Sequence, residues 1–262
     1  MDLGLTGRRA LCMSSSRGLG LGIAEELAAE GAHVLLTGRG EERLAAAADA
    51  INGKGAGRAD WVACDLTAPD AATTLLTAAE DRLGGVDCLL ANTGGPPPGR
   101  MADADLTVLA RQFETMVLRV MQIAEGVVPG MKARGWGRIL TVGSSGVVQP
   151  IPTLGLSNAL RSALVGWSKS LSTDLAGDGI TVNMILPGRI HTERVDELDA
   201  AASERTGKSL DETRAASRAT IPAGRYGRVD EFAKVATFLM SEPASYVTGS
   251  LIRVDGGSIR SI

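Results

Sequence analysis

Residues 9–20 read Arg9-Ala10-Leu11-Cys12-Met13-Ser14-Ser15-Ser16-Arg17-Gly18-Leu19-Gly20. A short strand-like run ends at Met13, a serine- and glycine-bearing turn follows, and a helical pattern takes over from Gly18 to about Glu30. Such a turn at a helix N-terminus is a natural phosphate cradle, because unpaired backbone N–H groups and the helix dipole both favour an anion. The Gly-x-Gly-x-x-Gly spacing is kept at Gly18 and Gly20 and lost at Ile23. Alone, the loop is a weak signal, nearly as compatible with a plain tight turn.

Outward from that unit the alternation repeats. Further strands are expected over 33–37, 61–64, 86–91, 138–143, 181–186 and 251–254, and helices over 41–51, 71–83, 103–132, 157–175 and 230–240. Strands that are apolar throughout and alternate with helices imply an α/β fold. The expected form is a Rossmann-type doubly wound parallel sheet of about seven strands, a single domain spanning residues 1–262. In such sheets the ligand lies at the carboxyl ends of the strands. The informative loops are those after Met13, Thr37, Cys64, Ala91, Gly143 and Leu186.

Composition narrows the function. Lys plus Arg number 27 against 30 Asp plus Glu, a net charge of −3, so the basic excess of a nucleic-acid binder is missing. No apolar run approaches the ~20 residues of a membrane span, and residues 1–8 lack the apolar stretch of a signal peptide. A cytoplasmic location is expected. Cys12, Cys64 and Cys88, odd in number and without Cys-x-x-Cys spacing, read as buried reduced thiols, and no metal site is expected. Aromatic residues make up only 3% against 33 glycines, which implies small side chains packed between closely approaching backbones.

Several segments in order carry a resemblance. They are Ser16-Arg17-Gly18-Leu19-Gly20, Leu35-Leu36-Thr37-Gly38-Arg39, Cys64-Asp65-Leu66, Asn92-Thr93-Gly94, Pro187-Gly188-Arg189-Ile190-His191-Thr192, Ile221-Pro222-Ala223-Gly224-Arg225 and Val254-Asp255-Gly256-Gly257. Together they resemble the short-chain dehydrogenase/reductase family, its 3-oxoacyl-[acyl-carrier-protein] reductase-like branch. The resemblance implies an oxidoreductase acting on a small carbonyl or alcohol substrate with a nicotinamide cofactor. In the family's Thr-Gly-x-x-x-Gly-x-Gly loop the leading pair falls on Met13 and Ser14, so a side chain stands where the backbone approaches the cofactor.

The resemblance places Asp65 at the adenine, Asn92 beside the ribose, and Ile190 and Thr192 at the nicotinamide. Ser14, Ser16, Arg17, Gly18, Leu19, Gly20, Leu66, Gly94, Pro187 and Gly188 complete the cofactor wall. NAD sites place an acid at the end of the second strand. Here Gly38-Arg39 stands there, with no acid before Glu41. Arg17 and Arg39 together suit a 2′-phosphate, so NADP(H) is expected over NAD(H). The bland alternative is two solvated surface arginines.

The family's Asn-Ser-Tyr-Lys set falls on Met116, Ser144, Ser157 and Arg161, so only the serine is retained. Tyr226 and Tyr246 match structural positions, and an aliphatic hydroxyl is a far weaker acid than a phenol. Ser157 and Arg161 are four apart on one helix and share a face. Arg161 is read either as a cation in the cleft or as a surface arginine at the border of the face marked by Leu160, Leu164, Trp167, Leu171 and Leu175. His191 is a weaker candidate proton donor, and His33 reads as structural.

Gly94-Gly95-Pro96-Pro97-Pro98-Gly99 reads as a stiff segment over the site, with Pro150 and Pro152 facing it. Residues 192–220, rich in charges of the solvated-face kind, are expected to form a helical lid. Family analogy implies a homotetramer paired through the helices at 103–132 and 157–175. Two other readings remain: a catalytically impaired relative that binds NADP(H) or a metabolite as a sensor or partner subunit, and a fold that no longer binds nucleotide.

Overall fold

A computed structural model describes residues 1–261. Seven strands form one sheet: β1 (Arg9–Cys12), β2 (His33–Gly38), β3 (Arg58–Ala63), β4 (Cys88–Ala91), β5 (Gly137–Val142), β6 (Ile180–Pro187) and β7 (Leu251–Val254). Their order is β3-β2-β1-β4-β5-β6-β7, and every neighbouring pair is parallel. The order reverses at β1, so the crevice between β1 and β4 is the ligand position for this topology. No helix among the described residues is long and apolar enough to cross a membrane.

The nine α-helices among the described residues are α1 (Gly18–Ala29), α2 (Glu41–Asn52), α3 (Ala71–Leu83), α4 (Leu106–Phe113), α5 (Arg119–Arg134), α6 (Gly155–Leu175), α7 (Glu193–Thr206), α8 (Leu210–Ala219) and α9 (Val229–Leu239). Along β1, Ala10 and Cys12 face the layer of α1, α2 and α9, whereas Leu11 faces α3, α5 and α6. The same two-residue alternation runs through β2 and β4. Both faces are covered, which is why these strands read as unbroken apolar runs. The small-residue composition has its counterpart in the helix contacts. A Cβ on Gly22 of α1 would overlap Val229 of α9, and one on Gly126 of α5 would overlap Leu76 of α3.

Four sequence expectations need correction. β3 starts at Arg58, ahead of the expected 61, because an edge strand needs only one apolar face. Its polar Asp60 meets His33 at 2.7 Å, and the Asn52 side chain pairs with both backbone groups of Ala59. The helix expected over 103–132 is divided. Asp105 accepts from Thr107 N to start α4, and Glu114–Leu118 forms a π-helical turn before α5. Cys64 is half-buried, outside the core that encloses Cys12 and Cys88, because it lies just past the end of β3. Finally, α7 is not only a solvated face: its Val195 and Asp199 are buried.

At the opposite end of the sheet from the crevice, Asp87 is 5% exposed at its side chain and is held by Arg9 at 2.7 Å and Arg134 at 2.8 Å. Burial pushes its carboxyl up. Hydrogen bonds from Arg9 and the two positive charges outweigh that and leave it below the ordinary carboxylate value. A depressed folded-state pKa stabilises fully above the unfolded value and fades as pH falls through the folded one. Asp87→Asn is therefore expected to cost about 2 kcal/mol at pH 7, since the arginines are partly exposed, and to flatten the acid limb below about pH 4. Urea unfolding at both pH values measures this.

Candidate active site

The crevice is built on a knot of hydrogen bonds after β1. The Ser15 hydroxyl, fully buried, donates to Cys12 O at 2.7 Å and accepts from Thr37 N at 3.0 Å. Ser14 N donates to Thr37 Oγ1 at 3.1 Å, and Asn92 Nδ2 donates to Ser14 O at 3.1 Å. Three strands, β1, β2 and β4, are thereby tied at the point where the sheet order reverses. Gly20 must be glycine, because a Cβ there would strike Ser14 O and the Asn92 amide. Ser14 has φ 49°, the one non-glycine residue in the left-handed region among those described.

Above this knot α1 begins without a side-chain cap and without an acid in its first turn. Its leading N–H groups have no partner within the helix, so the end suits an anion. Arg17 flanks it, pairing with Glu193, the first residue of α7; Arg43 lies 3.7 Å from the same carboxylate. Arg39 is exposed at the end of β2, near enough to Asp65 to help hold that carboxyl down, after the stronger hydrogen bonds from Thr67. Arg39 thus stands toward Asp65, while Arg43, which sequence reading missed, joins Arg17 at Glu193. Its spacing on α2 resembles any solvated arginine. Ser16 lies on the loop and Leu19 on the first turn of α1, and Ser16 backs Gly38 so closely that a Cβ there would meet Ser16 Oγ at 2.9 Å.

Across the crevice, Thr192 reaches the space beside Gly18, 3.8 Å from where a Cβ would stand. Its loop is fixed behind: Gly188 N donates to Val254 O at 3.0 Å, Pro187 ends β6, and Ile190 bridges to Gly227. Gly94 is open, with nothing within 4 Å of a Cβ. Leu66 O accepts from the buried Arg119 at 3.3 Å. Gly99 pairs with Thr153 O and Gly155 N, so the Gly-Pro segment docks on the chain just past Pro152.

The four remaining positions lie after β5, on α6 and in the π turn before α5. Ser144 follows β5 and its Oγ accepts from Gly146 N at 3.1 Å. Ser157 and Arg161 lie on α6 and both are buried. Met116 is buried in the π turn, a feature that often marks functional positions. Arg161 is 8% exposed, which removes the surface-arginine reading. It donates Nη1 to Val142 O at 2.6 Å, and no carboxylate among the described residues lies within 4 Å. Burial pushes its pKa down to about 10, with a smaller push from Arg194.

Other candidate proton donors are committed elsewhere. The Tyr226 hydroxyl donates to Asp199 at 2.9 Å, and Tyr246 is fully exposed. His191 is 63% exposed at its side chain and sits 3.4 Å from Asp196, and His33 pairs with Asp60. Asp199 also takes Arg189 at 2.6 Å, anchoring α7 to the loop after β6.

The family described as enoyl-(acyl carrier protein) reductase matches residues 13–258. The 3-oxoacyl-[acyl-carrier-protein] reductase FabG of Vibrio cholerae is 34% identical over 257 residues, covering 97% of this chain and 98% of that protein. The chain belongs to the short-chain dehydrogenase/reductase family. Among solved structures, L-sorbose reductase from Gluconobacter frateurii, complexed with NADPH and L-sorbose, superposes with a TM-score of 0.94 at 33% identity, covering all of both chains. YwfH, an NADPH-dependent reductase involved in bacilysin biosynthesis, superposes at 0.92 with 26% identity, covering 97% of this chain and 99% of that one.

In this dehydrogenase/reductase the left-handed serine is a local strain. Ser14→Gly is expected to raise stability by about 1 kcal/mol, the relief exceeding the added flexibility of the unfolded chain. Thermal unfolding of the two proteins checks it.

Proposed function

We propose that this chain is an NADP(H)-linked oxidoreductase that interconverts a carbonyl and a hydroxyl group with a rearranged catalytic set. The observation that carries the reading is the uncapped N-terminus of α1 flanked by Arg17 and Arg43, with no acid at the end of β2. That donor set fits the phosphates of the cofactor, including a 2′-phosphate, better than it fits a bare ribose hydroxyl. The relatives named above for NADPH support the same cofactor class.

In this reading Ser14, Ser16, Gly18, Leu19 and Gly20 line the phosphates and Arg17, Arg39 and Arg43 the 2′-phosphate. Asp65 and Leu66 meet the adenine, Asn92 and Gly94 the ribose, and Pro187, Gly188, Ile190 and Thr192 the nicotinamide. NADP(H), when bound, supplies or accepts the hydride. Ser144 Oγ donates to the substrate oxygen and holds the carbonyl in place. Met116, Ser157 and Arg161 stand where the family carries Asn, Tyr and Lys. With no phenol there, a water held at Ser157 gives its proton to the reduced oxygen, and the hydroxide left behind is reprotonated from solvent. Arg161 contributes a fixed positive charge beside the reacting oxygen. The helices α7 and α8 act as the substrate lid, and copies associate through α4, the π turn, α5 and α6, where Leu106, Phe113 and Leu118 are exposed.

The missing phenol favours a second reading, a relative that binds NADP(H) without turnover. Calorimetry separates the possibilities first: NADPH is expected to bind at least tenfold more tightly than NADH, and binding of neither would refute both readings. The double variant Arg17→Ala, Arg43→Ala should weaken NADPH by about tenfold or more and leave NADH within about threefold. With a turned-over carbonyl, Ser144→Ala should lower kcat/KM by roughly 10²–10³; unchanged turnover would exclude the proposed role. Glu193→Gln should tighten NADPH several-fold, because the Glu193 carboxylate competes for Arg17.

A further inference from the structure

The buried guanidinium of Arg161 has no counter-ion within 4 Å among the described residues. The surrounding sequence makes this systematic: residues 92–102, 135–173 and 179–192 contain no aspartate or glutamate. These stretches supply the loops after β4, β5 and β6, which form the substrate half of the crevice. A second cation closes the same space. Arg194, on the first turn of α7, donates Nη2 to Pro96 O at 3.2 Å, and Nη2 lies 3.7 Å from where a Cβ of Gly95 would stand. Its own acid, Glu197 at 3.3 Å, is a partly exposed neighbour one turn along the helix.

A buried, unpaired cation is strongly unfavourable, and proteins usually neutralise or pair such groups. Arginine cannot readily discard its proton, so an anion is the remaining remedy. The cofactor phosphates are poorly placed to supply it. Arg161 is bonded to the end of β5, two strands from β1 and its phosphate loop, a separation of roughly 9–10 Å across the sheet. Ribose hydroxyls are neutral and would leave the charge unbalanced.

We infer that Arg161, with Arg194 above it, binds a carboxylate on the substrate, so that the substrate class is an oxo acid and its hydroxy acid counterpart. The inference rests on the oxidoreductase reading for its substrate, but the anion site is testable without turnover. Guanidinium and carboxylate can meet in a two-point geometry through the N–H groups that Val142 O does not use. Fixing the carboxylate at Arg161 would also fix the carbonyl with respect to Ser144, which is two residues beyond Val142.

The test uses NADPH-loaded protein with three acids, pyruvate, acetoacetate and levulinate, which place the carboxylate progressively farther from the ketone, and with their methyl esters. For the best-spaced pair, kcat/KM is expected to favour the acid by about 10²-fold. In Arg161→Met that preference should fall to within a few-fold, while NADPH affinity stays within about threefold. Formate, too small to be excluded by shape, should raise the melting temperature of the wild type above that in chloride at equal ionic strength, and should not do so in Arg161→Met. Apo Arg161→Met should be at least as stable as the wild type, since it removes an unpaired buried charge.

Equal turnover of acids and esters where both are reduced, a preference that survives in Arg161→Met, or no formate effect would overturn the carboxylate site. Loss of NADPH affinity in Arg161→Met would assign the arginine to the cofactor instead. If nothing is reduced but formate binds through Arg161, the anion site stands and the oxidoreductase reading fails.

Discussion

The hydroxyl of Ser15 holds the junction on which the site depends. By bonding at once to Cys12 O and Thr37 N, it joins the ends of β1 and β2, and the neighbouring Ser14–Asn92 bond adds β4. These are neutral bonds inside the core, where an unmade partner costs about 1–3 kcal/mol. They fix where the loop after β1 leaves the sheet and how closely α1 can approach. A glycine at position 20 is then required by contact with the Ser14 carbonyl, independent of any ligand. The loop therefore has structural reasons for its shape as well as the chemical one.

Charge is distributed unevenly around that junction. The buried and partly buried carboxylates Asp87, Asp199 and Glu231 are matched to arginines: Asp87 with Arg9 and Arg134, Asp199 with Arg189, Glu231 with Arg225 and Arg228. Arg138 is also deeply buried, but Glu242 stands 3.5 Å away, three backbone carbonyls accept from it, and the Trp136 ring lies against it. Arg161 has one carbonyl. The contrast between two buried arginines in one core is the strongest indication that the second is completed from outside the chain.

The architecture was legible because parallel strands buried on both faces must be apolar, and their alternation with helices leaves few topologies. Legibility failed where one face is solvated or where a side chain is used in an unexpected direction. The start of β3 alternates polar and apolar residues, as an edge strand can. Asp199 looked like one acid among many on a charged helix, yet it is the buried anchor for Arg189 and Tyr226. Ser15 gave no signal, since a serine in a loop reads as solvent-facing until the neighbouring strand is known. Arg161 lies at the border of an amphipathic face, where periodicity cannot decide between core and solvent. Its guanidinium is held at the end of β5, which periodicity along α6 does not reveal.

The π turn at Glu114–Leu118 has a consequence for the helical phase on either side. One extra residue per turn shifts every later side chain by roughly 100° about the axis relative to the earlier ones. Beyond the turn, Val120 and Ile123 point into the core, while Leu106 and Phe113 before it are exposed and α4 buries nothing. Removing a single residue from this turn would rotate the two halves back into one stripe. Met116 would then leave its place beside α6, and the outward apolar edge of α4 would turn toward the sheet.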